Sequence, residues 1–415
     1  MNRKTVSGIM VSLLLVGTLL LAFNIQPVRA IGTIYIRPDG SIDPLTAPIH
    51  RDGDLYTLAD DVFSDTDGIA VERDNMTLDG ADYSLQGSDF WPSVGVRLLE
   101  RNNVTIKNLE IKHFFHGIDL RLCSNIDIHG NDIMNNNGYG ITLDHSSNSN
   151  MTENSIGYNG DGVDIYNSSS NNSICGNNVV NNLENGISLL MSSSNNTVYG
   201  NSVTGNGHGF SLGYCPSNNI TGNSIANSNY GLHLWESSNN CIYHNSFINN
   251  TEQAHDHAWD EPHLYSPSAN TWDDGYPSGG NYWSDYNGTD SHLGPSQNIT
   301  GSDGIGDEPY VISDYNQDNY PLMEPWSSIP TTIGDLKTEI EELGSEGEVD
   351  NQGIVTSLLA KLNVAQKMFE DGKTDQAKNI LNAFINEVQA QSGKHITSEA
   401  ADALIESAEY ILSHL

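Results

Sequence analysis

Apolar and polar residues alternate in short segments between residues 68 and 250, and these segments recur at a nearly fixed spacing. Each recurrence has a glycine followed by an apolar, a variable and a second apolar residue, at Gly68, Gly95, Gly117, Gly140, Gly162, Gly186, Gly209 and Gly231. The last seven copies are separated by 22, 23, 22, 24, 23 and 22 residues. Alternation with period two predicts strands, and a fixed period of this length predicts a solenoid.

Each copy holds two or three short strands separated by Asn, Ser and Gly, and none has a helical period. We therefore predict a parallel β-helix, in which each coil needs few inward side chains because its neighbours cover it. A second element keeps step with the glycines, namely Asn131, Asn154, Asn177, Asn201, Asn223 and Asn245. We assign these asparagines to stacked turns, where their amides bond one another and the backbone.

Composition divides the chain into six segments. Residues 1–30 carry Arg3 and Lys4 before an apolar run and end in Val-Arg-Ala, which predicts a secretory signal peptide. The remaining segments are a lead-in and N-terminal cap (31–66), the β-helix repeats (67–250), a Gly-, Asp- and aromatic-rich C-terminal cap (251–328), a linker (329–350) and a helical bundle (351–415). The bundle is predicted from apolar stripes such as Ile354, Leu358 and Leu362.

Four cysteines in an exported chain raise the question of disulfides. Alignment on the glycines places Cys123 and Cys215 in one column but four coils apart, about 19 Å at the spacing of strands in a sheet. Cys175 and Cys241 lie three coils apart in different columns. A disulfide requires Cα atoms within about 7 Å, so we predict four free thiols.

With the repeat laid out, residues 33–328 resemble the secreted right-handed β-helix proteins grouped as carbohydrate-binding proteins and sugar hydrolases, and also the NosD-like copper-associated proteins. The segment "NNVTIKNLEI" at 102–111 and the Gly-Asn turns carry this resemblance. Residues 351–415 resemble the FIMAH domain through "LLAKLNVAQKMFEDGK". The resemblance implies a mainly β protein, a right-handed single-stranded parallel β-helix followed by an aromatic-rich cap and a small α-helical bundle.

A formal net charge of −36 excludes a nucleic-acid-binding surface, because such a surface repels phosphate backbones. It is compatible with cations and with neutral or basic partners. No second apolar segment long enough for a membrane span follows the signal peptide, so we expect a secreted, periplasmic or cell-surface protein.

The variable residue of each repeat should point outward, since both of its neighbours point inward. This arrangement gathers Asp119, Asp144 and Asp164 on one face. Glycoside hydrolysis uses two carboxylates, and Asp119 and Asp164 stand two coils apart, about 10 Å between backbones. The three aspartates are therefore candidate catalytic residues, against the alternative of an ordinary solvated acidic surface.

Aromatic residues on the same coils offer flat faces for sugar rings. The candidates for carbohydrate binding are Tyr139, Tyr166, Tyr214, Tyr230 and Trp235.

Two metal sites are candidates in the C-terminal cap. Asp303, Asp307, Asp314 and Asp318 lie in glycine-rich loops whose oxygen atoms suit calcium. His255, His257 and His263 offer imidazoles for a transition metal such as copper or zinc.

These observations favour an exported protein that binds polysaccharide or glycoprotein glycans on its β-helix face. Three alternatives stay open: a polysaccharide hydrolase or lyase that uses the aspartates, a structural surface or adhesion protein without a small ligand, and a copper-associated protein of the NosD type. The helical C-terminal domain is expected to provide attachment or a protein partner.

Overall fold

Each repeat contributes three strands, and each strand pairs in parallel with its counterpart in the next repeat. The computed structural model describes residues 32–259, 263, 265–326, 333–370 and 373–414, and the predicted signal peptide lies outside them. The described residues form two compact units, divided between Trp326 and Ser327. The first unit is a parallel β-helix, which confirms the predicted fold.

Three sheets line the solenoid. The first sheet has eleven strands, in the order Ile42–Asp43, Ile34–Ile36, Ile69–Val71, Val94–Leu99, His116–Arg121, Tyr139–Asp144, Asp161–Tyr166, Asn185–Leu190, His208–Gly213, Tyr230–Trp235 and Glu252–Asp256. The second has ten, in the order Ile49–Asp52, Leu55–Leu58, Met76–Asp79, Asn102–Lys107, Ser124–His129, Asn150–Thr152, Ser173–Cys175, Thr197–Tyr199, Asn219–Thr221 and Cys241–Tyr243. The third also has ten, in the order Val62–Phe63, Ser84–Gln86, Glu110–Lys112, Asp132–Met134, Ser155–Gly157, Asn178–Val180, Ser202–Thr204, Ser224–Ala226, Ser246–Ile248 and Tyr282–Trp283.

The glycine of each repeat is required by a close approach between coils. A Cβ atom on Gly117 would lie 2.5 Å from the carbonyl oxygen of Gly140 and 2.6 Å from Cγ2 of Ile133 in the core. At Gly162 the same atom would lie 2.4 Å from the carbonyl oxygen of Gly186. Since no side chain fits at these distances, the sequence repeats glycine at this position of the first sheet from Gly68 to Gly231.

Buried asparagines form continuous ladders between the coils. Asn177 Nδ2 donates to Asn201 Oδ1 at 3.0 Å, and Asn177 Oδ1 accepts from both the backbone N and the Nδ2 of Asn154 at 3.0 Å. The pattern continues along the predicted column and ends at Asn281. The amides therefore satisfy turn backbone that the strands leave unpaired.

The solenoid is longer than the repeat predicted. Ile34–Ile36 pairs in parallel with Ile69–Val71, so the expected N-terminal lead-in is itself part of a coil. At the other end, Glu252–Asp256 pairs with Tyr230–Trp235, and Tyr282–Trp283 pairs with the third sheet. The expected cap after residue 250 thus extends two of the sheets. A short 3₁₀ turn, His257–Trp259, follows the last strand of the first sheet, and two hairpins complete this unit: His292–Leu293 with Ile299–Thr300, and Tyr310–Ser313 with Asn316–Asp318.

The second unit consists of four helices: α1 (Ile333–Glu346), α2 (Gln352–Glu370), α3 (Thr374–Gln391) and α4 (Ser398–His414). Its core includes Leu336, Leu358, Leu362, Leu381 and Phe384, none of which is exposed. The prediction of a linker over 329–350 is wrong for most of that range, because α1 buries Ile333, Leu336 and Ile340 in this core.

None of the four cysteines, all of which lie in the described part of the chain, forms a disulfide, as predicted. Cys123 and Cys215 are buried at turn positions, where their thiols contact backbone carbonyl oxygens, Cys123 Sγ that of Arg121 at 3.3 Å and Cys215 Sγ that of Gly213 at 3.2 Å.

Among the described residues, no helix combines the length and the apolar character that crossing a membrane requires.

Candidate functional site

Three columns of side chains face outward from the first sheet, and together they form a trough along the solenoid. The middle column, here called the floor, is the predicted outward position of the repeat: Arg97, Asp119, Thr142, Asp164, Ser188, Ser211, His233 and His255. One wall contains Val94, His116, Tyr139, Asp161, Asn185, His208, Tyr230 and Glu252. The other wall contains Leu99, Arg121, Asp144, Tyr166, Leu190, Gly213 and Trp235.

The floor is covered by its walls. Asp119 is 1 % exposed, Thr142 2 %, Asp164 4 % and Ser188 1 %. The alternative that the outward aspartates are ordinary solvated surface is therefore wrong for Asp119 and Asp164. Polar groups withdrawn from water in this way need partners, and the partners differ along the trough.

Asp119 is neutralised by an adjacent arginine. Its Oδ2 lies 3.0 Å from Nε of Arg121 in the neighbouring wall. Burial raises the pKa of the Asp119 carboxyl, and Arg121 partly opposes that shift. This carboxylate is held in an ion pair on its own strand.

Asp164 forms no ion pair with the described residues, and its carboxyl group behaves differently. Its Oδ1 accepts a 2.5 Å hydrogen bond from Ser188 Oγ on the next coil. Burial raises the pKa of Asp164 to about 6, and the nearby charges of Asp161 and Asp144 act in the same direction. The group is therefore a weak acid near neutral pH.

Thr142 lies between the two aspartates in the floor, in register with both. Its Oγ1 is buried and has no hydrogen-bond partner among the described residues. Asp119 and Asp164 are thus separated by a threonine, and one of them is ion-paired. The expectation that these two form a facing carboxylate pair is not supported by this arrangement.

Asp144 is the ionised member of the group. Burial acts to raise its pKa, but hydrogen bonds from Asn167 Nδ2 at 2.9 Å and from the His145 ring at 2.7 Å lower it overall. Asp144 and Asp164, on neighbouring coils, therefore have pKa values shifted in opposite directions. Such divergence is typical of acid and base partners in catalytic sites.

Four of the five predicted sugar-binding aromatics lie in the walls. The ring of Tyr139 stacks on that of His116, with centroids 5.0 Å apart and planes at 4°. Burial lowers the pKa of His116 to about 4, so this ring is neutral in the stack. Tyr166 lies across the trough, beside Asp144 on the opposite wall. Tyr214 is different: it is 49 % exposed in the turn after its strand, outside the trough.

Tyr230 and Trp235, the remaining two, surround a histidine cluster at the C-terminal end of the trough. One ring nitrogen from each of His233, His255 and His257 lies within 4.8 Å of the others. His255 and His257 were predicted as metal ligands, whereas His263 does not belong to the cluster. His233 was missed, although it precedes His255 by 22 residues, one repeat period, and is its register partner.

Of the four aspartates predicted to bind calcium, three accept hydrogen bonds from separate sets of partners. Asp318 Oδ2 accepts from the backbone N of Asn281 and from Trp283 Nε1, while Asp307 accepts from Ser291 and His292. Asp303 accepts from Gly294 and Gln297, and Asp314 is exposed. In the part of the chain that the structure describes, the histidine cluster is the one group of three or more His, Cys, Asp or Glu side chains whose ligand atoms lie close enough together to hold a metal ion.

Comparison with known families identifies both units. A family described as periplasmic copper-binding protein (NosD) matches residues 52–208 and 200–288, and the FIMAH domain matches residues 333–413. No curated protein matches the chain.

Solved structures with a similar fold include a double mutant of the periplasmic alginate epimerase AlgG, at 14 % identity over 58 % of this chain and 77 % of that one, with a TM-score of 0.40. The mannuronan C-5 epimerase AlgE4 A-module of Azotobacter vinelandii is 18 % identical over 49 % and 59 % of the two chains, with a TM-score of 0.37. An alginate lyase from Paenibacillus sp. is 12 % identical over 55 % and 88 %, with a TM-score of 0.34.

Proposed function

The chain belongs to the family of periplasmic copper-binding proteins (NosD) and ends in a FIMAH domain, and from this starting point we propose that it is an exported protein that binds a polysaccharide or a glycoprotein glycan along the trough. The observation that carries the proposal is the trough itself, with aromatic rings in both walls and buried polar groups beneath them. Solenoids present extended surfaces of this kind to extended ligands.

The walls supply the two kinds of contact that sugars need. Tyr139 and Tyr166 are partly exposed and offer ring faces to the apolar sides of pyranose rings. Asn185 is partly exposed and Arg121 is exposed. Both offer hydrogen-bond donors to hydroxyl or carboxylate groups of a sugar. Asp161 holds Asn185 in place by accepting from its backbone N and its Nδ2, both at 2.7 Å.

Binding to a glycan array tests this proposal, followed by titration of the best glycan. We expect Tyr166→Ala and Tyr139→Ala each to weaken binding about tenfold, the loss of one aromatic contact. The matched control is Tyr214→Ala, since Tyr214 is an exposed tyrosine outside the trough. Absence of any glycan ligand would favour a structural surface or adhesion protein, and an equal loss in the Tyr214 variant would place the site elsewhere.

A second candidate function, cleavage of the bound glycan, is favoured by the opposite pKa shifts of Asp164 and Asp144. In this proposal Asp164 donates a proton to the glycosidic oxygen as its bond to the anomeric carbon breaks, and ionised Asp144 accepts a proton from the water molecule that attacks this carbon. The test is product release from the glycans that bind. Loss of release in both Asp164→Asn and Asp144→Asn, with binding retained, supports the reaction, and no release by the unmodified protein removes it.

A further inference from the structure

We propose that His233, His255 and His257 form a binding site for a copper ion at the C-terminal end of the trough. The family is named for copper binding, but that name assigns no residue of this chain as a ligand. The proposed copper site does not depend on glycan binding. The arrangement of the donor atoms carries the proposal.

The three ring nitrogens are close enough to share one ion. At a metal–nitrogen distance of about 2.0–2.1 Å, two imidazole ligands of a tetrahedral ion are about 3.3 Å apart. The nitrogens of the cluster lie within 4.8 Å of one another, so a contraction of about 1.5 Å at most brings them to that spacing. Small rotations of the rings provide such a movement without a change in the backbone.

The fold fixes the backbone positions of all three residues. His233 and His255 are register partners on adjacent strands of the first sheet, and His257 follows in the 3₁₀ turn that ends the last of these strands. Two ligands therefore stand on paired strands and the third two residues beyond. Metal sites built on regular elements hold their geometry better than sites built on loops alone.

A carboxylate orients one of the ligands. His255 is 6 % exposed, and its Nδ1 lies 2.8 Å from Oε1 of Glu252, three residues earlier. A neutral imidazole that donates from Nδ1 carries its lone pair on Nε2, which is the form that binds a metal. Carboxylate–histidine pairs of this kind commonly accompany metal-bound histidines, where they fix the ring and raise its basicity.

Aromatic rings enclose the cluster. The Tyr230 ring stacks on that of His233 at 5.3 Å and contacts that of His255 at 4.9 Å, and the Trp235 ring lies 4.6 Å from that of His257. Tyr265 packs against the His257 ring at 5.0 Å. These rings surround the cluster with apolar surface, which limits the access of water to a bound ion.

The donor set selects the class of metal. Three imidazoles suit zinc and copper, whereas calcium and magnesium require oxygen ligands. At a given site, divalent copper binds more tightly than zinc. The proposal therefore commits to copper, with zinc as a weaker competitor.

The test is copper binding by the full mature chain, purified without a polyhistidine tag. We expect one tightly bound Cu²⁺ per chain by metal analysis and competition titration, with nitrogen couplings in the electron paramagnetic resonance spectrum. Bound Cu²⁺ should quench the fluorescence of Trp235, because its ring lies 5.5 Å from that of His233 and 4.6 Å from that of His257. Trp235→Phe removes that part of the quenching.

His233→Ala and His257→Ala should each weaken Cu²⁺ binding at least tenfold, and Glu252→Gln about 10- to 100-fold through the orientation of His255. The matched control is His263→Ala, which should bind Cu²⁺ as the unmodified protein does. Thermal unfolding of each variant establishes that it is folded. The control should also keep the nitrogen couplings of the unmodified protein. Lack of tight Cu²⁺ binding, or unchanged affinity in both His233→Ala and His257→Ala, overturns the proposal.

Discussion

The two units of this chain bury different kinds of side chain. The solenoid withdraws many asparagine and serine side chains from solvent, including the ladder from Asn131 to Asn281, and it also buries Asp119 and Asp164 in the trough. In the described part of the helical unit, Ser407 is the one buried polar residue, and the rest of the core is apolar.

The difference follows from the size of the repeating element. A helix of 14 to 19 residues presents an apolar stripe long enough to form a core with its neighbours. A coil of the solenoid has only short strands and exposes three turns of backbone, whose polar groups must be satisfied as the coils stack. Stacked amides therefore supply in the solenoid much of the specificity that apolar packing supplies in the helical unit.

The largest effect should come from breaking the amide ladder. Asn177→Ala leaves Asn154 N and Nδ2 without their acceptor and removes the donor to Met151 O and Asn201 Oδ1. At about 1–1.5 kcal/mol for each of these four hydrogen bonds, we expect a loss of about 4–6 kcal/mol in the free energy of unfolding. Denaturant unfolding followed by tryptophan fluorescence measures it, because all six tryptophans lie between residues 91 and 326.

The neighbouring Asn178 is the control for this prediction. Its side chain is exposed on a strand of the third sheet, so Asn178→Ala should change the free energy of unfolding by less than about 0.5 kcal/mol. Equal losses in the two variants would mean that the ladder contributes nothing specific.

A smaller effect is expected from a cavity in the helical core. Leu381 is fully buried in α3, and Leu381→Ala should lower the stability of the helical unit by about 3 kcal/mol. Circular dichroism at 222 nm during denaturant unfolding reports this unit. The adjacent exposed Asn382 provides the control, and a shift of similar size in Asn382→Ala would contradict the assignment of Leu381 to the core.

The smallest effects concern pH, and they should have opposite signs in the two units. Burial raises the pKa of Asp164 from an ordinary 3.8 to about 6, so the folded state binds the proton more tightly than the unfolded state. Stability from this group is greatest below about pH 4 and falls by about 2–3 kcal/mol as the pH rises through 6. Asp164→Asn should remove that decrease.

In the helical unit the pKa of Glu387 is lowered overall: burial opposes the shift, and the hydrogen bonds from Lys361 and Ser357 outweigh it. The stability that ionised Glu387 contributes is present above its ordinary pKa of 4.5 and is lost as the pH falls below that value. Because Glu387 and Lys361 form a surface ion pair, this contribution is about 1 kcal/mol or less. Stability curves of Asp164→Asn and Glu387→Gln from pH 3 to 8 measure both terms. Deviations from the unmodified protein with the same sign would contradict the comparison.

The glycine repeat was sufficient to predict which residues become neighbours. The register Asp119, Thr142 and Asp164 is the one expected from the spacing of Gly117, Gly140 and Gly162. The glycine repeat did not predict that the floor is buried, because burial depends on the side chains of the two walls and on the ion pair between Asp119 and Arg121. The pattern within one strand carries no information about such cover.

The end of the solenoid was placed too early because the glycine motif stops before the sheet does. The Cβ position of Gly231 faces the carbonyl oxygen of Gln253, so the last strand continues the stack without a glycine of its own. His233 was missed for a different reason. His255, His257 and His263 are close together in the sequence, whereas His233 is related to His255 only by the repeat period. Likewise, the spacing of Ile333, Leu336 and Ile340 already contained the helix that acidic composition led us to interpret as a linker.

The asparagine ladder also gives the solenoid a direction. Every amide from Asn131 to Asn245 donates toward the C-terminal coil and accepts from the N-terminal one, so their dipoles add along the axis. The row begins with an oxygen that accepts from Leu109 N and is followed, beyond Asn281, by the carboxyl group of Asp318. Extra coils can therefore be inserted anywhere within the row, but its two ends are electrostatically opposite, and the closing segment of one end cannot serve the other.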